Sequence, residues 1–265
     1  MNLGSQIEFG RIYRVSFLGY ESMEKNIVVF SPHPDDEVLG CGGTIPKKLS
    51  RNYSVFIVFI TDGAGGSEYS YYGKALGLTS MQLKEIRKQE AISADRILGV
   101  NRKNLVFLGI EDRNLRKNRE KAEKKVAEVL NEMCPTEVYF PHRSDPNEDH
   151  FAANRLLQKS LTNLTNQPIK YEYVIWTVDE LFKSQTLLIR MWLKAKRKLI
   201  GHDGILQHCC EAHIDISDYL PLKIEALKKY KSQTTLFFHN QKEPILKKSF
   251  VDKFLKDEEI FCRSV

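Results

Sequence analysis

Short runs of β-branched and aromatic residues alternate with longer stretches of helical periodicity along most of this chain. That alternation constrains its fold more than any other feature. Residues 26–30 (NIVVF) and 54–60 (SVFIVFI) read as buried strands, with 105–108, 137–140 and 171–176 as further strands. Between them, Leu83, Ile86, Ile97 and Leu98 fall near helical spacing over 80–98, and Gly99 closes that helix. Ala122, Val126, Val129, Leu130 and Met133 mark the next helix, which Cys134-Pro135 ends. The pattern specifies an α/β fold, a Rossmann-like, mainly parallel sheet with helices on both faces. We expect one domain over residues 1–235 and a C-terminal extension, 236–265, packed on that same domain. Sheets of this kind bind ligands outside the carboxyl ends of their strands, so the loops after Phe30, Ile60 and Phe140 are the ones to inspect.

Charge excludes some partners. Forty Lys and Arg against 34 Asp and Glu give a net +6. Lys183, Arg190, Lys194, Lys196, Arg197 and Lys198 equal that excess within 183–199, a segment with no acid. The excess is therefore local, and no nucleic-acid partner is expected, since such binders carry a basic stripe on a more basic domain. The same segment reads as a helix with Leu188, Met191, Trp192, Ala195 and Leu199 on one face, packed on the domain with its charges solvated. Its sharper readings are an anionic surface or an anionic substrate. No apolar run approaches the length of a transmembrane segment. Five cysteines, an odd number without a C-x-x-C pair, and an N-terminus without an apolar core point to the cytoplasm. Homo-oligomerisation is left open.

The first loop, 31–37 (SPHPDDE), joins a histidine to three acids. Pro32 and Pro34 stiffen the turn. One acid would cap the following helix; three beside a histidine add repulsion that a cap does not need. His33 and Asp36, three apart across a sharp turn, can coordinate one ion, and nitrogen with carboxylate oxygen suits zinc or another first-row divalent metal. Spacing alone does not decide which of Asp35 and Asp36 binds it. The glycines of 40–43 miss the dinucleotide pattern, whose last position falls on Ile45, and the carboxylates would repel a pyrophosphate. These glycines are read as close-packing positions, and Pro46 as a kink in the helix that follows.

The third loop, 141–150 (PHRSDPNEDH), is a second acid and histidine cluster between a strand and a helix, and His150 or His142 could supply a third ligand. A calcium loop is excluded, because His150 stands where the invariant glycine belongs. Asp145 and Asn147 also suit a turn, and Asp149 a helix cap. A further set, His202, His208, Cys209, Cys210 and His213, does not converge on one ion if 207–214 is a strand, because neighbouring residues face opposite sides.

Taken together, residues 31–37 and 40–44 resemble the signature of the PIG-L/LmbE-like zinc-dependent de-N-acetylases. The similarity continues through Thr61-Asp62-Gly63, 85–91 (EIRKQEA), Phe107-Leu108-Gly109, Asp149-His150, Asp215-Ile216-Ser217 and 223–233 (KIEALKKYKSQ). The resemblance implies one zinc ion per chain held by His33, Asp36 and His150, with Asp35 as general base for the metal-bound water. It implies a substrate contact for Arg87. Asp62 and Asp145 stand either behind a ligand histidine or as turn residues. Many members carry a histidine three residues before the last ligand, where it stabilises the oxyanion; here Asn147 stands instead, able to donate a hydrogen bond but carrying no charge. The implied activity is hydrolysis of the acetamide of a small N-acetylated amino sugar of the N-acetylglucosaminyl type, with an aglycone that is anionic if the basic segment faces it. The alternatives are a catalytically silent metal- or glycan-binding member and an amidase for a larger acyl or thiol-conjugate amide.

Overall fold

The computed structural model describes residues 25–65, 78–177, 210–237 and 241–264. The basic segment 183–199, with His202, His208 and Cys209, lies outside the described residues. Strands β1 (Asn26–Ser31), β2 (Ser54–Thr61), β3 (Leu105–Ile110), β4 (Glu137–Pro141), β5 (Ile169–Tyr173), β6 (Cys210–Asp215) and β7 (Glu258–Ser264) form one sheet in the order β3-β2-β1-β4-β5-β7-β6. The five from β3 to β5 are parallel, and β7 runs antiparallel to both β5 and β6. Helices α1 (Asp36–Cys41), α2 (Thr44–Leu49), α3 (Ser80–Ile97), α4 (Arg119–Met133), α5 (Glu148–Thr162), α6 (Leu220–Leu227), α7 (Lys231–Thr234) and α8 (Lys248–Val251) are the described α-helices, beside three single-turn 3-10 helices at Arg102–Asn104, Ser217–Tyr219 and Asp252–Phe254. None of the described helices is long and apolar enough to cross a membrane.

The alternating residues of the central strands explain the layers. Ile27, Val29, Val55, Ile57 and Phe59 pack on one face with Val38, Leu39, Ile45, Ala91 and Ala94 of α1, α2 and α3. Val28, Phe30, Phe56, Val58 and Ile60 pack on the other with Val126 and Leu130 of α4 and Leu156 and Leu157 of α5. Both faces of the central strands are therefore apolar, as a helix-covered parallel sheet requires.

Three boundaries differ from the sequence expectation. The first helix is split at Gly42–Gly43 into α1 and α2, and Pro46 falls in the first turn of α2, where its missing N–H costs no hydrogen bond. Strand β5 ends at Tyr173, three residues short of Trp176. The next backbone donors are taken by a side chain: Ile175 and Trp176 give their N–H groups to Asp145 Oδ2 at 3.1 and 3.0 Å. Strand β6 begins at Cys210, and His213 on it is half exposed, between Glu258 and Glu211 at 3.1 Å each. The last strand lies inside the sheet, hydrogen-bonded on both sides.

Two features of this frame position the site. The chain runs outward from β1 to β2 and β3, then returns across to β4 on the other side of β1. The exits of β1 and β4 thus flank a topological switch point, where α/β sheets open a crevice. The glycines at the α1–α2 joint let the helices sit close to their neighbours. A Cβ on Gly43 would lie 2.5 Å from Ile216 Cβ, and one on Gly40 2.8 Å from the Tyr173 ring. Gly43→Ala should therefore lower stability by about 1–3 kcal/mol, the usual cost of overpacking, as a reduced midpoint in urea unfolding.

Candidate metal centre and active-site cleft

The first loop leaves β1 at Ser31 and is tied to the end of β2 by Pro32, whose carbonyl accepts from Thr61 N at 2.9 Å and Thr61 Oγ1 at 2.7 Å. His33 and Asp36 then fold back on each other: Asp36 N donates to His33 O at 3.2 Å, and His33 N to Asp36 Oδ2 at 2.9 Å. The loop after β4 brings His150, on the first turn of α5, to the same point. Its cap is Asn147, whose Oδ1 accepts from Asp149 N at 3.0 Å and His150 N at 3.4 Å. Asp149 is not the cap expected of it.

Three donor atoms converge where the loops meet. His33 Nδ1 lies 3.1 Å from Asp36 Oδ2 and 3.2 Å from His150 Nε2, and His150 Nε2 lies 3.0 Å from Asp36 Oδ2. A tetrahedral ion with bonds of about 2.0–2.1 Å holds its ligands roughly 3.3 Å apart, so this triangle matches one face of such a shell. Two imidazole nitrogens and a carboxylate are also the donors that zinc and its neighbours favour. The residues fit a divalent metal. His142, the other histidine of this loop, is turned to Ser144 Oγ at 2.6 Å and stands apart from the three.

Each of these two histidines has a carboxylate on its far nitrogen. Asp145 Oδ2 lies 2.9 Å from His150 Nδ1. His33 Nε2 lies 3.2 Å from Asp112 Oδ1 and 3.5 Å from Asp149 Oδ2. Such partners fix the tautomer and ring angle of a ligand histidine. Asp149 also accepts from Arg113 N at 2.6 Å and Leu115 N at 3.3 Å, tying the exit of β3 to α5. Asp112 was missed by the sequence reading. The signal for it is an acid directly after a parallel strand, at the β3 exit. Among the described residues Asp62 supports no histidine; it makes a turn, accepting from Ala64 N at 3.1 Å and Asp112 N at 3.2 Å.

Asp35 is 6% exposed and holds a backbone φ of 133°, a region that L residues rarely adopt. Arg87, expected at the substrate, is buried and turned onto this loop: it donates to Gly63 O at 2.9 Å, to Pro34 O, and to Asp35 Oδ2 at 2.9 Å. Burial pushes the Asp35 carboxyl up to about 8, against the pull of Arg87. Burial works to raise Asp36 as well, yet His150 and His33 hold it well below the carboxylate range. Burial disfavours a charged His150, but Asp145 and Asp36 outweigh it and push the imidazole up to about 10. His33 is raised in the same way, chiefly by Asp112 acting against burial.

His33, Asp35, Asp36, Arg87 and Asn147 line a cavity of about 520 Å³, whose apolar wall includes Trp176 and Leu246. That size suits a small ligand. The fold and site thus define an α/β protein with a divalent-metal donor set at its switch point, opening into a cleft.

Comparison with known proteins gives the family. The model of the PIG-L family, described as GlcNAc-PI de-N-acetylase, matches residues 28–161, and the chain belongs to that family. A protein of Bacillus cereus named probable N-acetyl-alpha-D-glucosaminyl L-malate deacetylase 2 is 24% identical over 218 residues, 80% of this chain and 85% of the relative. A 4-oxalmesaconate hydratase of Pseudomonas putida is 28% identical over 138 residues, 52% of each chain. The N,N'-diacetylchitobiose deacetylase of Pyrococcus horikoshii shares the fold, with a TM-score of 0.64 and 23% identity over 91% of this chain and 84% of that one.

The proton load on the donors has a consequence for binding. Near neutral pH the metal-free protein carries a proton on His150, which a metal would have to displace. Metal uptake should therefore release protons and tighten as pH rises toward about 10, where the competing His150 proton leaves. Calorimetry in buffers of different ionisation enthalpy reads that release. Asp145→Asn should weaken metal binding by about 10- to 100-fold, measured by competition with a chelator.

Proposed function

We propose that this protein is a zinc-dependent N-deacetylase that removes the acetyl group from a small N-acetylated amino sugar of the N-acetylglucosaminyl type. The observation that carries this reading is the position of Asp35, on the cavity wall beside the converging His33, Asp36 and His150 donors. Family membership and the relatives named as deacetylases support the acetamide as the bond attacked.

His33, Asp36 and His150 would hold the ion, one per chain. Zinc bound there acidifies water and polarises a carbonyl oxygen. Asp35 then acts as general base, taking the proton of the attacking water and returning it to the amine nitrogen as the C–N bond breaks. Arg87 grips Asp35 through Oδ2 and leaves Oδ1 for that proton. The Oδ1 of Asn147 is occupied by the helix cap, so Nδ2 is the end that donates to the developing oxyanion. Asp145, with Asp112 and Asp149, holds the two imidazoles at the angle the ion requires. The cytoplasm is the compartment we assign.

A second reading, addition of water to an unsaturated acid, is favoured by the 4-oxalmesaconate hydratase relative. The assay that separates the readings incubates the zinc-loaded protein with N-acetylglucosaminyl compounds, their bulkier N-acyl analogues and unsaturated dicarboxylic acids, and follows acetate, free amine and hydrated product. Acetate and amine in equal amounts are expected. Asp35→Asn should lower kcat/KM by about 10²–10⁴-fold with zinc content retained, and His150→Ala should lose both zinc and acetate release. Undiminished acetate release by both variants would contradict the mechanism.

A further inference from the structure

Glu37 takes no part in the chemistry above, yet it is fully buried directly behind Asp35. Its Oε2 accepts from Asp35 N at 3.0 Å and from Ser31 Oγ at 3.0 Å. Its Oε1 accepts from the hydroxyl of Tyr230, also fully buried, far along the chain between α6 and α7. The segment that carries Tyr230 is pinned in turn. Ser232 donates its N–H and its hydroxyl to Glu90 on α3, at 2.7 and 2.6 Å, one helical turn from Arg87. The Asp35 backbone is therefore held from two sides, with Arg87 on the Pro34 carbonyl and Glu37 on the Asp35 N–H. Between these grips it adopts φ 133° and ψ −28°, a conformation kept only where the surroundings over-determine it.

We propose that Glu37 and Tyr230 are positioning residues for Asp35: Tyr230 anchors the Glu37 carboxylate, which holds the Asp35 backbone in its positive-φ conformation and so aims its side chain at the reacting water. The proposal rests on the reading of Asp35 as general base. It makes the 223–233 motif part of the active site without contact with the substrate. A small misplacement of a catalytic group costs rate more than binding, so the effect belongs in kcat.

The experiment is a double-mutant cycle on the zinc-loaded full chain, comparing Tyr230→Phe, Asp35→Asn and the pair, with Glu37→Ala and Glu37→Gln alongside. Zinc stoichiometry and Tm are recorded for each variant. Tyr230→Phe should lower kcat by about 10- to 100-fold with KM within about twofold and zinc content unchanged. In the Asp35→Asn background the same change should cost less than about twofold, because the base it positions is gone. Glu37→Gln, whose amide oxygen still accepts from Asp35 N–H, should retain more kcat than Glu37→Ala; if Glu37→Ala does not fold, the Tyr230→Phe cycle decides. An equal loss from Tyr230→Phe in both backgrounds, or a loss seen in KM or zinc content, overturns the positioning role. Full activity of Asp35→Asn alone overturns the reading of Asp35, and with it the proposal; that failure shows in the single variant before any cycle is drawn.

Discussion

Two imidazole nitrogens and one carboxylate oxygen are held within 3.2 Å of one another at the mouth of the sheet, and much of the surrounding structure answers to that crowding. Burial disfavours a charge on either histidine, and the acids around them pull the other way, raising both imidazoles above their ordinary range. A buried cluster of this kind is costly unless every group is paired. Pairing is what the structure supplies, with Asp145 behind His150, and Asp112 and Asp149 behind His33.

The sheet explains why these residues meet. His33 and His150 are 117 residues apart, and only the switch between β1 and β4 sets their loops side by side. Three parallel-strand exits, those of β1, β3 and β4, contribute to one cluster, and α3 reaches over from the β2 crossover with Arg87. The C-terminal part of the chain takes its share. Lys223 and Glu259 form a buried ion pair of 2.6 Å, and Glu259 also accepts from Gly43 N and Thr44 N at the start of α2. Strand β7 thereby locks the α1–α2 joint whose first turn carries Asp36.

Much of the fold was legible because burial on both sheet faces leaves continuous apolar runs such as 54–60, and helices show themselves by spacing. The helix over Ser80–Ile97 carries the reciprocal Thr79 and Gln82 cap that marks such a start. What misled was tertiary. Trp176 looks like strand continuation, and only the Asp145 carboxylate, distant in sequence, draws the backbone out of the sheet. Gly42–Gly43 is the close-packing pair that it reads as, but it also ends one helix and begins another, which the apolar spacing does not show. At the site, acids crowded beside histidines at two strand exits mark the loops of His33, Asp35, Asp36 and His150, but spacing leaves Asp35 against Asp36 and His150 against His142 open, and the family resemblance chooses among them. Asp112 does not stand out, since a single acid after a strand is an ordinary residue until its partner is seen; Glu37 is counted among the crowded acids, but its partner Tyr230 is visible only in the fold. Arg87 shows the same limit: helical spacing places it on α3, but its burial against Asp35 depends on the loop opposite.

The most direct measurement is anomalous diffraction at the zinc edge from crystals grown with zinc. The account predicts one strong peak per chain, about 2.0–2.2 Å from His33 Nδ1, an Asp36 carboxylate oxygen and His150 Nε2, on the cavity side of the triangle they form. A peak instead between His33 Nε2, Asp112 and Asp149, or no peak at either place with zinc in excess, would contradict it.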